Sequence, residues 1–407
     1  MEAAYFKNFL HENALIVFGI LLLVGLLGGQ LAHKARYLPR ISGYILIGFL
    51  LGPHVAGVFT PSFIAQSRIY QDLAIGLILF ELGLQVNLLK LSQHPTLLWT
   101  ALIQSILVFI VIFFGLVFLN VTIIVAALAA ALGISISPAI TLLIAREYGA
   151  RGKVVKNSLT LTAMINILAF LAYAIVVVTA QHTSSDNHYH APIIEWLYPF
   201  YRMLGSILLA AILAILMIGI GKFVGKKESL QFILLVGMLV MALGLAKVLY
   251  VSPFLTMLAF GIFTANFDRK KDLMEVELAH LTEIFVVILF VAIGANLHVD
   301  YFFKAWWLAL AFIILRLLGS LAAIFLMKNK IPLSSQQSLS LSITLFPLAG
   351  IAIALLNNTA KLASNYHNSL ALIILPAVAF LEIVGPMTTI FALKWIGELD
   401  KQRKLDH

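Results

Sequence analysis

Apolar residues run along this chain in long unbroken blocks rather than in the alternation of strands or the narrow stripes of water-soluble helices. Thirteen blocks are long and apolar enough to cross a hydrocarbon core as helices, which takes about 20 residues. Their limits are 13–32, 41–58, 70–89, 95–119, 121–145, 154–180, 194–221, 229–248, 252–268, 277–297, 304–326, 335–356 and 368–393, numbered here as spans one to thirteen. The expected class is therefore an all-α polytopic membrane protein. The first block is long for a signal-peptide core and is followed by His33, Lys34 and Arg36 instead of a small-residue cleavage site, so it reads as a retained helix.

The polar connections carry a second pattern. Of 27 lysines and arginines, twenty fall in the odd-numbered connections and the C-terminal tail, six fall on the opposite side, and Arg316 lies inside a span. Cytoplasmic loops hold the basic excess, which places the N-terminus outside and the C-terminus in the cytoplasm, as expected of a bacterial inner (cytoplasmic) membrane protein.

An odd number of spans with opposed ends invites a search for inverted repeats. "ILFELGLQVNL" from Ile78 resembles "ILFVAIGANLHV" from Ile288, which sets Phe80 against Phe290. Pro138 in "SISPAI" recurs as Pro347 in "LFPLAGI" at nearly the same offset. Seven spans lie within that offset, so the second copy enters from the other side. The expected organisation is one membrane domain over 1–407, with repeats at 41–180 and 252–395, linking helices at 181–251 and a short cytoplasmic tail at 396–407.

Pro138 and Pro347, the latter followed by Gly350, lie mid-span among glycines and serines. Proline removes a backbone donor and clashes with the preceding turn, and an interrupted helix survives in a bilayer only inside protein or beside a watery cavity. Paired interruptions point to an ion site. Glu81, Asn166, Arg316, Pro347 and Glu382 are each about 11 to 14 residues into their spans, roughly 16 to 21 Å deep. Intramembrane charges are costly and face the protein interior, usually with a partner, so Glu81 and Arg316 read as a pair or as members of one network. A structural ion pair locking two helices is the alternative.

Composition narrows the function. Hydrophobic residues make up 62% and charged residues 11% of 407 positions, which excludes a water-soluble domain. The net charge of +9 is scattered between apolar blocks, so no nucleic-acid partner is expected. With no cysteine, disulfides and thiolate metal sites are excluded. There are no paired aspartates, no Gly-x-Ser-Gly and no His-Glu-x-x-His, so no enzymatic set is visible. The loop "QHTSSDNHYHAP" holds His182, His188 and His190, but such loops are usually just solvated, and no metal or cofactor is expected.

Five stretches together resemble a known family: "RISGYILIGFLLGP" (Arg40 to Pro53), "LILFELGLQVNL" (Leu77 to Leu88), "ISISPAITLLIAREYGARGKV" (Ile134 to Val154), "FPLAGIAIAL" (Phe346 to Leu355) and "LEIVGP" (Leu381 to Pro386). They look like the monovalent cation:proton antiporters of the sodium/hydrogen exchanger superfamily. The resemblance implies a homodimer and a core, spans four to six and eleven to thirteen, in which the broken fifth and twelfth spans cross. It also exposes a departure. The sixth-span carboxylate pair of the family aligns with Ile165 and Asn166, and its Thr-Asp-Pro with Ile136, Ser137 and Pro138.

Asn166 can ligate a cation through its carbonyl oxygen but cannot exchange a proton near neutral pH. Glu81 matches the Phe-Glu-x-Gly of several branches, and Arg316 the Lys or Arg of relatives, so the resemblance makes Glu81 the expected titrating group. Ser137, Thr162 and Asn166 would supply neutral oxygens beside it, while Ser135, Gln85 and Glu382 complete the candidate set. The activity implied is exchange of Na+ or K+ for H+ by alternating access. An uncoupled channel or carrier, and a non-transporting protein on the same fold, stay open. No fused nucleotide-binding domain is expected, since no Gly-x-Gly-x-x-Gly loop follows a strand.

Overall fold

The structure is a computed structural model describing residues 13–34, 39–93, 95–184, 192–268, 279–297, 299–331, 333–348 and 350–399. Among these there is no strand, and every predicted span is helical. In chain order the helices are α1 (Ala14–Lys34), α2 (Arg40–Leu51), α3 (Pro61–Leu84), α4 (Leu88–Gln93), α5 (Thr96–Phe118), α6 (Ile123–Ile134), α7 (Pro138–Glu147) and α8 (Lys153–Ser184). They continue with α9 (Pro192–Val224), α10 (Glu228–Val248), α11 (Pro253–Phe267), α12 (Ala279–Ala295), α13 (Val299–Met327), α14 (Ser335–Thr344), α15 (Gly350–Leu362) and α16 (Ser364–Trp395). Spans five and twelve are the interrupted ones, appearing as α6–α7 and α14–α15. His188 and His190 lie outside the described residues, as does the side chain of His182.

Among the described residues, eight helices, counting α6–α7 as one, are long and apolar enough to cross a membrane. The chain is an integral membrane protein. Large apolar side chains point outward, Phe118 at 87% and Phe223 at 92% exposure, as a hydrocarbon surround permits. Enclosure is uneven: 83% of the apolar stretch of α6–α7 is buried, against 33% for α5.

Local chemistry shifts two predicted boundaries. Span two ends as a helix at Leu51, because Pro53 holds Gly52 extended (φ −61°, ψ 166°) and the chain folds back, with Phe59 N–H donating to Leu51 O. α3 begins nine residues earlier than predicted, since Thr60 caps it and Pro61 fits its first turn. Its last residue is Leu84, so Glu81 sits in the final turn and not mid-span.

Close backbone contacts between glycines set the packing. A Cβ on Gly48 of α2 would lie 2.1 Å from Val291 O of α12, and one on Gly294 of α12 would lie 2.1 Å from Ile45 O of α2. The same contact recurs between α3 and α11, where Gly261 meets Phe80 O at 2.1 Å and Gly83 meets Leu258 O at 2.4 Å. The helix pairs exchange under the repeat symmetry, so Gly48 corresponds to Gly261 and Gly83 to Gly294. This register sets Phe80 against Val291, one residue away from the pairing that the sequence motifs suggest. Backbone contact fixes which residues are equivalent, whereas motif matching follows side chains. Gly261→Ala should cost about 1–3 kcal/mol, read as a lower unfolding temperature in detergent. Gly219→Ala, with nothing within 4 Å of its Cβ, should not lower it.

Candidate ion site at the crossing of two broken helices

α6 ends at Ile134, Ser135 and Ser137 are extended, and Pro138 opens α7. The second break lies between Thr344 and Gly350. Pro138 occupies the first helical position, where its missing N–H costs nothing, whereas Pro347 lies inside the second break, ahead of α15. The breaks touch: Ser137 N–H donates to Pro347 O at 2.9 Å, and Thr141 Oγ1 donates to Thr344 O at 3.4 Å.

Arg316 of α13 holds the crossing together. Its guanidinium donates to Gly133 O at 2.6 Å and Ser135 O at 2.8 Å in the first break. It also donates to Leu345 O at 3.5 Å and Pro347 O at 3.3 Å in the second. These carbonyls have lost helical donors, and a planar fork with five N–H groups can serve several at once. In the sequence, Arg316 and Glu81 read as a pair or as members of one network. Among the described residues no hydrogen bond or ion pair joins them, because Arg316 is committed to backbone dipoles while Glu81 lies in the last turn of α3.

Asn166 is fully buried and clamps the first break. Ile136 N–H donates to its Oδ1, and its Nδ2 donates to Ile136 O, both at 3.0 Å. The amide is a peptide complement, matching one donor and one acceptor. Asn166 continues a line of buried polar positions on one face of α8, with Thr162 and Ser158 one and two turns earlier. The hydroxyls of Ser137, Ser158 and Thr162 find no hydrogen-bond partner among the described residues. Ser135 is otherwise occupied, donating through Oγ to Leu132 O at 2.7 Å. The start of α8 is held from the chain's far end: Val154 and Val155 N–H donate to the Glu398 carboxylate at 2.9 and 3.0 Å, a favourable charge at a helix N-terminus.

Glu81 is 3% exposed and doubly engaged. Thr282 Oγ1 of α12 donates to its Oε1 at 2.8 Å, and Arg146 Nη1 at the end of α7 lies 2.8 Å from its Oε2. A second pair with opposite polarity, Arg40 with Glu147, joins α2 to α7 at 3.9 Å. Sequence reasoning missed Arg146 and Thr282. Arg146 was counted with the connection cations although it stands in "IAREYGARG", and nothing local marks Thr282. Gln85 is exposed in the turn after α3, apart from the buried group. Glu382 of α16 is fully buried.

The site thus brings Ser135, Ser137, Thr162, Asn166 and Arg316 around the breaks, with Glu81 held against the end of α7. Comparison with known proteins gives three findings. The family model described as "Sodium/hydrogen exchanger, transmembrane" matches residues 18–395. No curated protein matches the sequence. Solved structures of the sodium proton antiporter MjNhaP1 from Methanocaldococcus jannaschii match in fold. The one at pH 8 has a TM-score of 0.69 at 17% identity, covering 94% of this chain and 97% of that one. An electron-microscopy structure has a TM-score of 0.71 at 16% identity, covering 93% and 95%.

Proposed function

The chain belongs to the sodium/hydrogen exchanger family, and from that premise we propose that it exchanges Na+ or K+ for protons by alternating access, with Glu81 as a titrating group. The observation that carries this reading is the link between Glu81 on α3 and Arg146 on α7. Helices α5 to α8 and α13 to α16 form the moving core, and α1 to α3 and α9 to α12 the scaffold, in a homodimer whose N-termini face outside. Glu81 then belongs to the scaffold and Arg146 to the core.

An ionised Glu81 attracts Arg146 and holds α7 in place. A proton or a monovalent cation on the carboxylate neutralises it, removes that attraction and frees the core. Either ion serves and the two compete, so the core is released by one or the other and is held when neither is bound. Ser137 and Thr162 offer neutral oxygens of the kind hard cations prefer. In this arrangement Asn166 orders the break instead of titrating.

The test is proton movement in sealed proteoliposomes with an internal pH dye, given pulses of Na+ and then K+ at clamped potential. The wild type should move protons in response to cation. Glu81→Gln should reduce that movement about tenfold or more while isotopic cation uptake continues, since α7 is no longer held. Proton-coupled exchange at the wild-type rate in Glu81→Gln would remove Glu81 from the mechanism. Cation uptake without proton movement in the wild type would identify an uncoupled carrier.

A further inference from the structure

Glu382 is the buried charge that the pairs above leave unexplained. It lies at 0% exposure on α16, and neither carboxylate oxygen has a hydrogen-bond partner among the described residues. Its surroundings tie it to the crossing. Three residues on, a Cβ added to Gly385 would meet Pro347 at 3.0 Å and Ile140 of α7 at 3.5 Å, so this turn of α16 lies directly against both broken spans. The neighbouring carbonyl, Ile383 O, accepts from Ser42 Oγ of α2 at 3.3 Å. Pro386 stands four residues after Glu382 and has no N–H, so the carbonyl of Glu382 loses its helical donor as well. The carboxylate is therefore buried without a hydrogen-bond partner among the described residues, at a turn whose backbone ladder is itself interrupted.

Among the described residues, the charged groups on the helices around α16 are engaged elsewhere or lie at the surface. Arg316 of α13 donates to the break carbonyls, Arg40 of α2 pairs with Glu147, and Arg146 of α7 lies against Glu81. Lys153 and Lys156 of α8 and Lys304 of α13 are exposed at helix ends. An ionised carboxylate enclosed without a counter-charge is strongly disfavoured, so this group must carry either a proton or a cation.

We infer that Glu382 is the carboxylate that travels with the core and alternately carries the proton and the monovalent cation, a task that Asn166 cannot perform. This rests on the exchange activity proposed above and assigns the transported ions a binding group within the moving helices. The step is a simple substitution: the carboxylate–cation pair takes up H+, the O–H bond forms, and the cation leaves with its charge. The reverse step returns the proton to water. Neutral in both forms, the group can cross without a bare charge, and one ion is exchanged for the other.

The test compares wild type, Glu382→Gln and Glu382→Asp in proteoliposomes, with infrared difference spectra of the same samples on adding Na+ or K+. In the wild type, cation should remove a protonated-carboxyl stretching band. Glu382→Gln should lack that band and lose both proton movement and isotopic cation uptake by roughly a hundredfold, at an unfolding temperature no lower than that of the wild type. Glu382→Asp should retain part of both. Exchange in Glu382→Gln at the wild-type rate, or a cation-insensitive band in the wild type, overturns the inference. Absence of exchange in the wild type would instead refute the proposed function, and the infrared band would still report whether Glu382 trades a proton for a cation.

Discussion

Arg316→Ala is expected to destabilise the protein by about 3–5 kcal/mol, since it strands buried carbonyls of both breaks at about 1–3 kcal/mol each, and to abolish transport. The guanidinium donates to carbonyls of both breaks, Gly133 and Ser135 on one side and Leu345 and Pro347 on the other. Its removal leaves those buried oxygens without a charged donor, and among the described residues no other side chain of α13 donates a hydrogen bond to them. Arg316→Lys should fall between, costing about 1–3 kcal/mol. An ammonium is a compact charge with three donors and cannot span two separated pairs of carbonyls. Heat unfolding of detergent-purified protein, followed by the proteoliposome assay, measures both. An Ala variant that melts with the wild type would show that the hydrogen bonds from Ser137 to Pro347 and from Thr141 to Thr344 hold the crossing without the guanidinium.

Asn166→Leu should cost about 2–6 kcal/mol, since it strands both the N–H and the C=O of Ile136 and each buried orphan costs about 1–3 kcal/mol. Asn166→Asp is the more informative change, because it restores the residue of the family pattern. A protonated aspartic acid can accept from Ile136 N–H and donate to Ile136 O, reproducing the amide. An ionised one has no donor and sets negative charge against a carbonyl. The Asp variant should therefore match wild-type stability at acidic pH and lose stability as the pH rises and the side chain ionises. Unfolding temperature measured across pH reads this directly, and a pH-independent difference between the two proteins would show that Ile136 does not depend on the amide.

Much of the architecture was legible because the bilayer imposes it. Every segment long and apolar enough to span is helical, and the two interruptions stand at the prolines that the repeat picked out. The errors come from short-range chemistry that a hydropathy window averages away. Thr60 and Pro61 start α3 early, which carries Glu81 to a helix end, and Pro53 stops α2 early. Among the candidate site residues, Asn166, Ser137, Thr162 and Arg316 stand out in the sequence because a polar group in an apolar span is conspicuous. Their partners do not, because backbone carbonyls carry no sequence signal and Thr282 looks like any other threonine. Arg146 was hidden by its place at a helix end, where a cation is ordinary.

The glycine contacts that relate α2 and α12 to α11 and α3 carry an energetic consequence. Two repeats built from the same residues would give inward- and outward-facing arrangements of equal free energy, populated evenly. The register fixed by Gly83 and Gly294 sets Glu81 opposite Ala292, a carboxylate against a methyl group. The arm with the carboxylate holds α7 through Arg146, and the arm with the methyl group has no charge at the equivalent position. That substitution lifts the degeneracy, so under the alternating access proposed above the resting population would favour one face of the membrane, and the ion concentrations on that face would set how often the protein leaves it.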